Sequence, residues 1–432
     1  MIAIAGLCLA ILLHGLRQPA GYVRLPVLYA GLFAGWVLPQ LASLAANDTL
    51  PEAGRNGVVV MAVLSLAACW LGWYAAPAAG RPRVPATRNL GVPVAVLTAI
   101  SVALNLKVGS MAADMADVSQ WSGPITIVAF FAMIRHLALA LALIAFLRRP
   151  SPMLGLLLAA NLSVALPLVL IGLRRTEIMG FIATMMCGLW FGRGIRIPLS
   201  VLAATAAGFA VVVFVVGPLR GASAAIEAET GERPGLFSAE LWQRLDVSAE
   251  LERGIDDAPD MLNASYIIAY RRDEGHFGLG AETWNRFVTQ YVPGQIVGAE
   301  VKRSLYLGDG AGKNGDNTGI YDRIEDRFGF TFALGTTTTG LGSGFDDFGW
   351  LGAGYFFVIA HIMRRLYNAG QAGDVWAQAL YVGQVALALV SVTHHHASLL
   401  VVIPLLWVCA WVGRRLQGLH LWLAPQPRGM IP

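Results

Sequence analysis

The sequence predicts an all-α polytopic membrane protein with about 11 transmembrane helices and one large, partly helical extracytoplasmic loop. Three observations carry that prediction. Of 432 residues, 56% are hydrophobic and only 13% are charged, with a mean hydropathy of +0.60. A soluble domain carries about 25% charged residues, so this much apolar surface calls for lipid. Apolar runs of spanning length recur along the chain, and Lys and Arg fall on alternate links between them.

The apolar runs lie near 1–16, 25–46, 57–77, 90–107, 123–147, 151–173, 176–192, 197–218, 349–366, 374–393 and 397–413. The first, "MIAIAGLCLAILLHGLR", lacks a basic leading segment and a clear cleavage site, so it is read as a spanning helix rather than a removed signal. "RRPSP" supplies the turn of a tight helical hairpin between the fifth and sixth runs.

With the N-terminus outside, the inside segments carry Arg17, Arg24, Arg81, Arg83, Arg88, Arg148, Arg149, Arg193, Arg196, Arg364, Arg365, Arg414, Arg415 and Arg428. The short outside links carry Arg55, Lys107, Arg174 and Arg175. That bias sets the orientation, because basic residues are retained on the cytoplasmic side. The chain then divides into residues 1–218 (eight helices), 219–348 (the outer loop) and 349–432 (three helices and a short cytoplasmic tail).

The loop holds 21 of the 27 acids and 12 of the 31 basic residues, a net charge of −9 against +13 for the remainder. At 130 residues it is too long for a bare connector. Amphipathic helices are predicted over about 238–253 and 259–272, broken at "GIDDAP", and 306–319 reads as a Gly/Asn/Asp-rich loop. Cys8, Cys69, Cys187 and Cys409 all sit in apolar runs with no metal or redox spacing. There is no Walker loop, no dinucleotide fingerprint and no Ser–His–Asp context; "GLGAET" after His276 is too short for a nucleotide loop. Neither nucleic acid, metal nor cofactor is expected.

Candidate chemistry gathers on the outer face. Arg174, Arg175 and Arg220 flank spans there, and the loop adds Arg271, Arg272, Lys302 and Arg303. Guanidinium forks suit phosphate oxygens, which points to a lipid phosphate or diphosphate; the alternative is that each cation is a snorkelling anchor or an ion-pair partner. Arg135 and His136 fall mid-span, where a charge calls for a polar cavity or a partner. His394, His395 and His396 cannot all face one ion from a helix, so acid–base or hydrogen-bonding work competes with a solvated cluster. Asp346 and Asp347 stand at the entry to the ninth run, either as its N-terminal cap or as a sugar contact or base, and the two roles are compatible.

Three segments, in this order, carry a resemblance: "GLRRTEIMGFIATMM", "RFVTQYVPGQIVGAEVK" and "TTTTGLGSGFDDFGWLGA". Together they resemble segments of the O-antigen and exopolysaccharide repeat-unit polymerases over roughly 170–360. Arg175, Arg220, Lys302 and the Phe348–Gly349 step match best. Gly294 stands where an Arg is common after the Pro, Lys302 is spaced further from Pro293 than usual, and Ser343 stands near a common acid. The resemblance implies a C-type glycosyltransferase in the bacterial inner membrane, with its large loop in the periplasm. Its substrates would be polyprenyl-diphosphate-linked glycans as donor and acceptor, and a flippase and chain-length regulator proteins would be its partners. Arginines would steady the departing diphosphate, and an Asp, Glu or His would activate the acceptor hydroxyl. Alternatives are an O-antigen ligase, a polysaccharide transporter or flippase, or a non-catalytic scaffold. A single large loop and the lack of a half-to-half repeat are atypical of a transporter.

Overall fold

The structure, a computed structural model, describes residues 1–45, 50–78, 90–113, 124–170, 175–231, 238–244, 259–308, 319–332 and 336–423. Within these residues the secondary structure is entirely helical. The apolar helices are α1 (Ile2–Leu16), α2 (Leu25–Ala45), α3 (Glu52–Ala75), α4 (Gly91–Ala113), α5 (Pro124–Arg148), α6 (Pro152–Leu170), α7 (Arg175–Arg193) and α8 (Leu199–Thr230). Between α8 and the last three long helices come α9 (Ala239–Gln243), α10 (Pro259–Glu274), α11 (Ala281–Tyr291), α12 (Gly294–Val297), α13 (Ala299–Ser304), α14 (Gly319–Phe328) and α15 (Thr339–Phe348). A 3₁₀ turn, Gly349–Ala353, leads into α16 (Gly354–Gln371), and α17 (Val375–Thr393) and α18 (Ser398–Leu423) complete the chain.

Among the described residues, seven helices are long and apolar enough to cross a membrane: α2, α3, α4, α5, α6, α17 and part of α18. The chain is therefore an all-α protein of the polytopic membrane class. α17 is the central pillar, buried on nearly every side by α5, α7, α16 and α18. α6 is the opposite case, with most of its apolar surface facing outward, as lipid permits and water does not. Close helix approach rests on glycine: a Cβ at Gly72 of α3 would stand 2.2 Å from the carbonyl oxygen of Phe357 in α16.

The helix ends sort into two groups. At one end, Arg148 donates to the Phe191 carbonyl, Tyr22 to that of Ile195, Asn368 to that of Pro77 and Trp376 to Gln417. Arg414 there holds Asp374, whose carboxylate caps α17 by accepting from the Trp376 and Ala377 amides. At the opposite end, residues of the long 219–348 segment meet Gln40, Ala53, Phe130, Thr393 and Val401. The basic Arg148, Arg193 and Arg414 thus share an end, and the described residues of the 219–348 segment that make these contacts lie at the other.

Three boundaries differ from the sequence-based expectation. α8 continues unbroken through residue 218 as far as Thr230. α5 breaks at Met133 and Ile134, so Arg135 opens its second half. The helix expected from residue 349 begins at Gly354, after a separate helix and a 3₁₀ turn. The expected "GIDDAP" break lies outside the described residues.

Candidate functional site

α15 is built from the glycine-rich stretch "TGLGSGFDDF" and lies buried between α10 and α17. Its glycines allow the approach: a Cβ at Gly340 would meet the Ser391 carbonyl oxygen at 1.9 Å, and one at Gly342 would meet the Cα of Ala264 at 3.0 Å. Gly349 then turns the chain with φ +57°, a conformation open to glycine. Asp346 and Asp347 therefore occupy the last turn of α15. They do not cap α16, which corrects that expectation: the glycines pack as a helix of their own, and the chain turns before α16 starts.

Asp347 does cap a helix, but another one. Its Oδ1 accepts from the Glu282 amide at 3.0 Å and its Oδ2 from the Thr283 amide at 3.3 Å, both in the first turn of α11. The Asp346 and Asp347 carbonyls accept from Gly278 and Leu279 and hold the approach to that turn. Thr283 Oγ1 at 2.7 Å and Tyr355 OH at 3.0 Å also donate to Asp347 Oδ2. His396 Nε2 stands 3.2 Å from the same oxygen. Asp347 is fully buried. Burial pushes its carboxyl up, but hydrogen bonds and charge from His396, with Thr283 and Tyr355, outweigh that and hold it below the usual carboxylate value.

The histidines sit in the turn between α17 and α18. The Ala397 amide donates to His395 Nδ1 at 3.1 Å, so Nε2 carries the proton and donates to Glu282 Oε1 at 2.9 Å. Burial, then Arg286 and His396, hold the His395 imidazole well below its ordinary value, so it is neutral. His396 bonds Ser343 through Nδ1 at 2.9 Å and Thr283 Oγ1 through Nε2 at 2.7 Å. Burial also lowers His396, against the pull of Asp347. The two rings stack at 4.4 Å, and Tyr355 packs on His396 at 4.0 Å.

Asp346 takes a different partner. Arg271 Nε donates to its Oδ1 at 2.5 Å, with both residues buried. Arg271, Asp346 and Glu282 line a cavity of about 160 Å³ with His276, Asn285 and Arg323. Tyr321 stands close by, its phenol pushed up to about 12 by burial and by the charges of Glu282 and Asp346.

The remaining candidates spread out. Arg175 starts α7 at the same end of the bundle, where its charge favours the Asp260 carboxylate, although burial raises that group overall. Arg272 donates to the Ala53 carbonyl and pins α10 to α3. Lys302 donates to the Thr289 carbonyl near the end of α11, and burial lowers its pKa. Arg303 is exposed on α13. Arg135 pairs with Glu177 at 2.7 Å and lines a second cavity of about 230 Å³ between α5, α6, α7 and α17, with His136, Asn161 and His394. Arg174 and the Arg220 side chain lie outside the described residues.

Sequence reasoning gathers Asp346, Asp347, His395 and Arg271 but misses Glu282, Thr283 and Tyr355. A signal for the first two exists: "GLGAET" is a glycine N-cap followed by an acid in the first helical turn. Comparison with family models, curated proteins and solved structures finds no match.

Proposed function

We propose that this chain is a membrane glycosyltransferase that polymerises polyprenyl-diphosphate-linked repeat units of an O-antigen or exopolysaccharide. It would lie in the bacterial inner membrane, with eleven spans and the 219–348 segment in the periplasm. One observation carries the reading: a cavity lined by Arg271, Arg323, Glu282, Asn285 and Asp346 adjoins two carboxylate–histidine pairs at the less basic end of an apolar bundle. Sugars are recognised by such mixed acceptors and donors, and a diphosphate by guanidinium groups. The sequence resemblance points the same way.

The roles follow from exposure and bonding. Asp347 is saturated and fully buried, so it is architecture. Asp346 is held by Arg271. Glu282 is partly exposed, lines the cavity and accepts a hydrogen bond from a neutral imidazole. In the proposed step an acceptor hydroxyl oxygen attacks the anomeric carbon of the donor. The new glycosidic C–O bond forms as the anomeric C–O bond to phosphate breaks. That electron pair leaves with the lipid diphosphate, and the hydroxyl proton passes to Glu282. Arg174, Arg175 and Arg220, with Arg271, are the candidate diphosphate partners.

Purified protein in liposomes with lipid-linked repeat units should produce longer lipid-linked chains. Glu282→Gln keeps the oxygen that accepts from His395 but cannot take the proton, so elongation should fall about 100-fold or more. No elongation by the wild-type protein sinks the reading. Transfer of preformed polymer to a lipid A core acceptor instead would make it a ligase.

A further inference from the structure

Residues 292–307 follow α11 and form the short helices α12 and α13, and the apolar side chains of this stretch face outward. Ile296 is 82% exposed, Val301 and Leu307 are each 52% exposed, and Val297 and Leu305 are also exposed. Five large aliphatic side chains within twelve positions make too dense a patch for a segment standing in water. A second observation says what covers them. Tyr291, the last residue of α11, donates to the Val401 carbonyl at 2.8 Å and packs on the Phe130 ring at 4.8 Å. Val401 lies three residues into α18 and Phe130 six residues into α5. At about 1.5 Å rise per residue, both points are ~5–9 Å along apolar helices from their ends.

Residues 302–307 are tied along α11, Lys302 close to its Tyr291 end and Leu305 and Leu307 closer to its start. Lys302 donates to the Thr289 carbonyl, Trp284 Nε1 to the Leu305 carbonyl, and Asn285 exchanges two hydrogen bonds with Leu307. These bonds leave Ile296, Val297 and Val301 pointing away from the protein. Lys302 turns its ammonium inward, while Arg303 stays exposed beside the patch. An apolar face at acyl-chain level flanked by a basic residue is the pattern of an interfacial segment.

We propose that residues 292–307 are seated in the outer boundary of the lipid bilayer, with Ile296 and Val301 among the acyl chains. The partner is the membrane itself. This inference stands on packing and exposure and holds whatever reaction the neighbouring cavity performs. Its consequence is positional: the cavity lined by Glu282 and Arg271 is held near headgroup level by α11.

The test uses the full chain in lipid nanodiscs, with Cys8, Cys69, Cys187 and Cys409 replaced by Ala and one nitroxide placed at Ile296, at Val301 or, as a control, at Arg327. Arg327 is exposed on α14, where it faces Asp273 of α10. Relaxation by oxygen, which partitions into lipid, is compared with relaxation by a water-soluble nickel chelate. The 296 and 301 labels should favour oxygen several-fold, and the 327 label should favour nickel. Equal nickel access at all three sites would show a water-exposed loop and overturn the proposal. Shielding of 296 and 301 from both reagents would place a protein there, a second copy or another chain, and would overturn it too.

Discussion

His395 and His396 stack at 4.4 Å, yet each points its Nε2 at a different carboxylate, Glu282 and Asp347. Those carboxylates are unequal. Asp347 is fully buried and caps α11, whereas Glu282 reaches the cavity from the first turn of the same helix. One pair therefore fixes the helix and the other presents a carboxylate.

Asp347→Asn should destabilise the protein by about 3 kcal/mol, because the buried donors around it lose their charged acceptor and one carboxylate oxygen becomes a donor facing donors. Denaturation in detergent measures this. Glu282→Gln should leave the midpoint close to wild type, so the two variants separate architecture from chemistry.

Arg271→Ala and Asp346→Ala should each cost about 3 kcal/mol, since either one strands a buried charge. The double variant should cost clearly less than the sum of the two. A double-mutant cycle that is additive would show that the observed contact contributes nothing.

Gly340→Ala should cost about 2 kcal/mol or more, because the new methyl would overlap the Ser391 carbonyl oxygen. Gly354→Ala is the control, since nothing stands within 4 Å of its Cβ position. Comparable losses at both sites would refute the close approach of α15 to α17.

Acid should unfold the protein in two stages. His395 and His396 have folded values below the ordinary value of about 6.5. The unfolded chain therefore takes up protons first as pH falls below about 6.5, and stability drops there while Asp347 remains ionised. Asp347 is also depressed, so its contribution is present above about 3.9 and is lost only as pH falls below that. His395→Gln should flatten the slope of midpoint against pH between 7 and 5; an unchanged slope would argue against the neutral, buried assignment.

Much of the bundle was legible in the chain because hydropathy and charge act residue by residue. The runs at 25–46 and 374–393 fold as α2 and α17, and Arg148 and Arg414 fall at one end of the bundle. Local chemistry also marked Asp346 and Asp347 in "GLGSGFDD" as candidates. It did not show that this stretch would make a complete helix before turning at Gly349, since that depends on the fit of Gly340 and Gly342 against α17 and α10.

By itself the sequence determined that this protein is an apolar helical bundle with an acidic segment at one end, because the cost of moving each side chain out of water belongs to that side chain. Only the tertiary structure decided which acid meets which histidine. Glu282 and His395 are 113 positions apart, and Arg271 and Asp346 are 75 apart. Nothing local encodes such pairs: they form when α10, α11, α15 and the turn after α17 pack together, and burial then sets which carboxylate is sealed and which reaches the cavity.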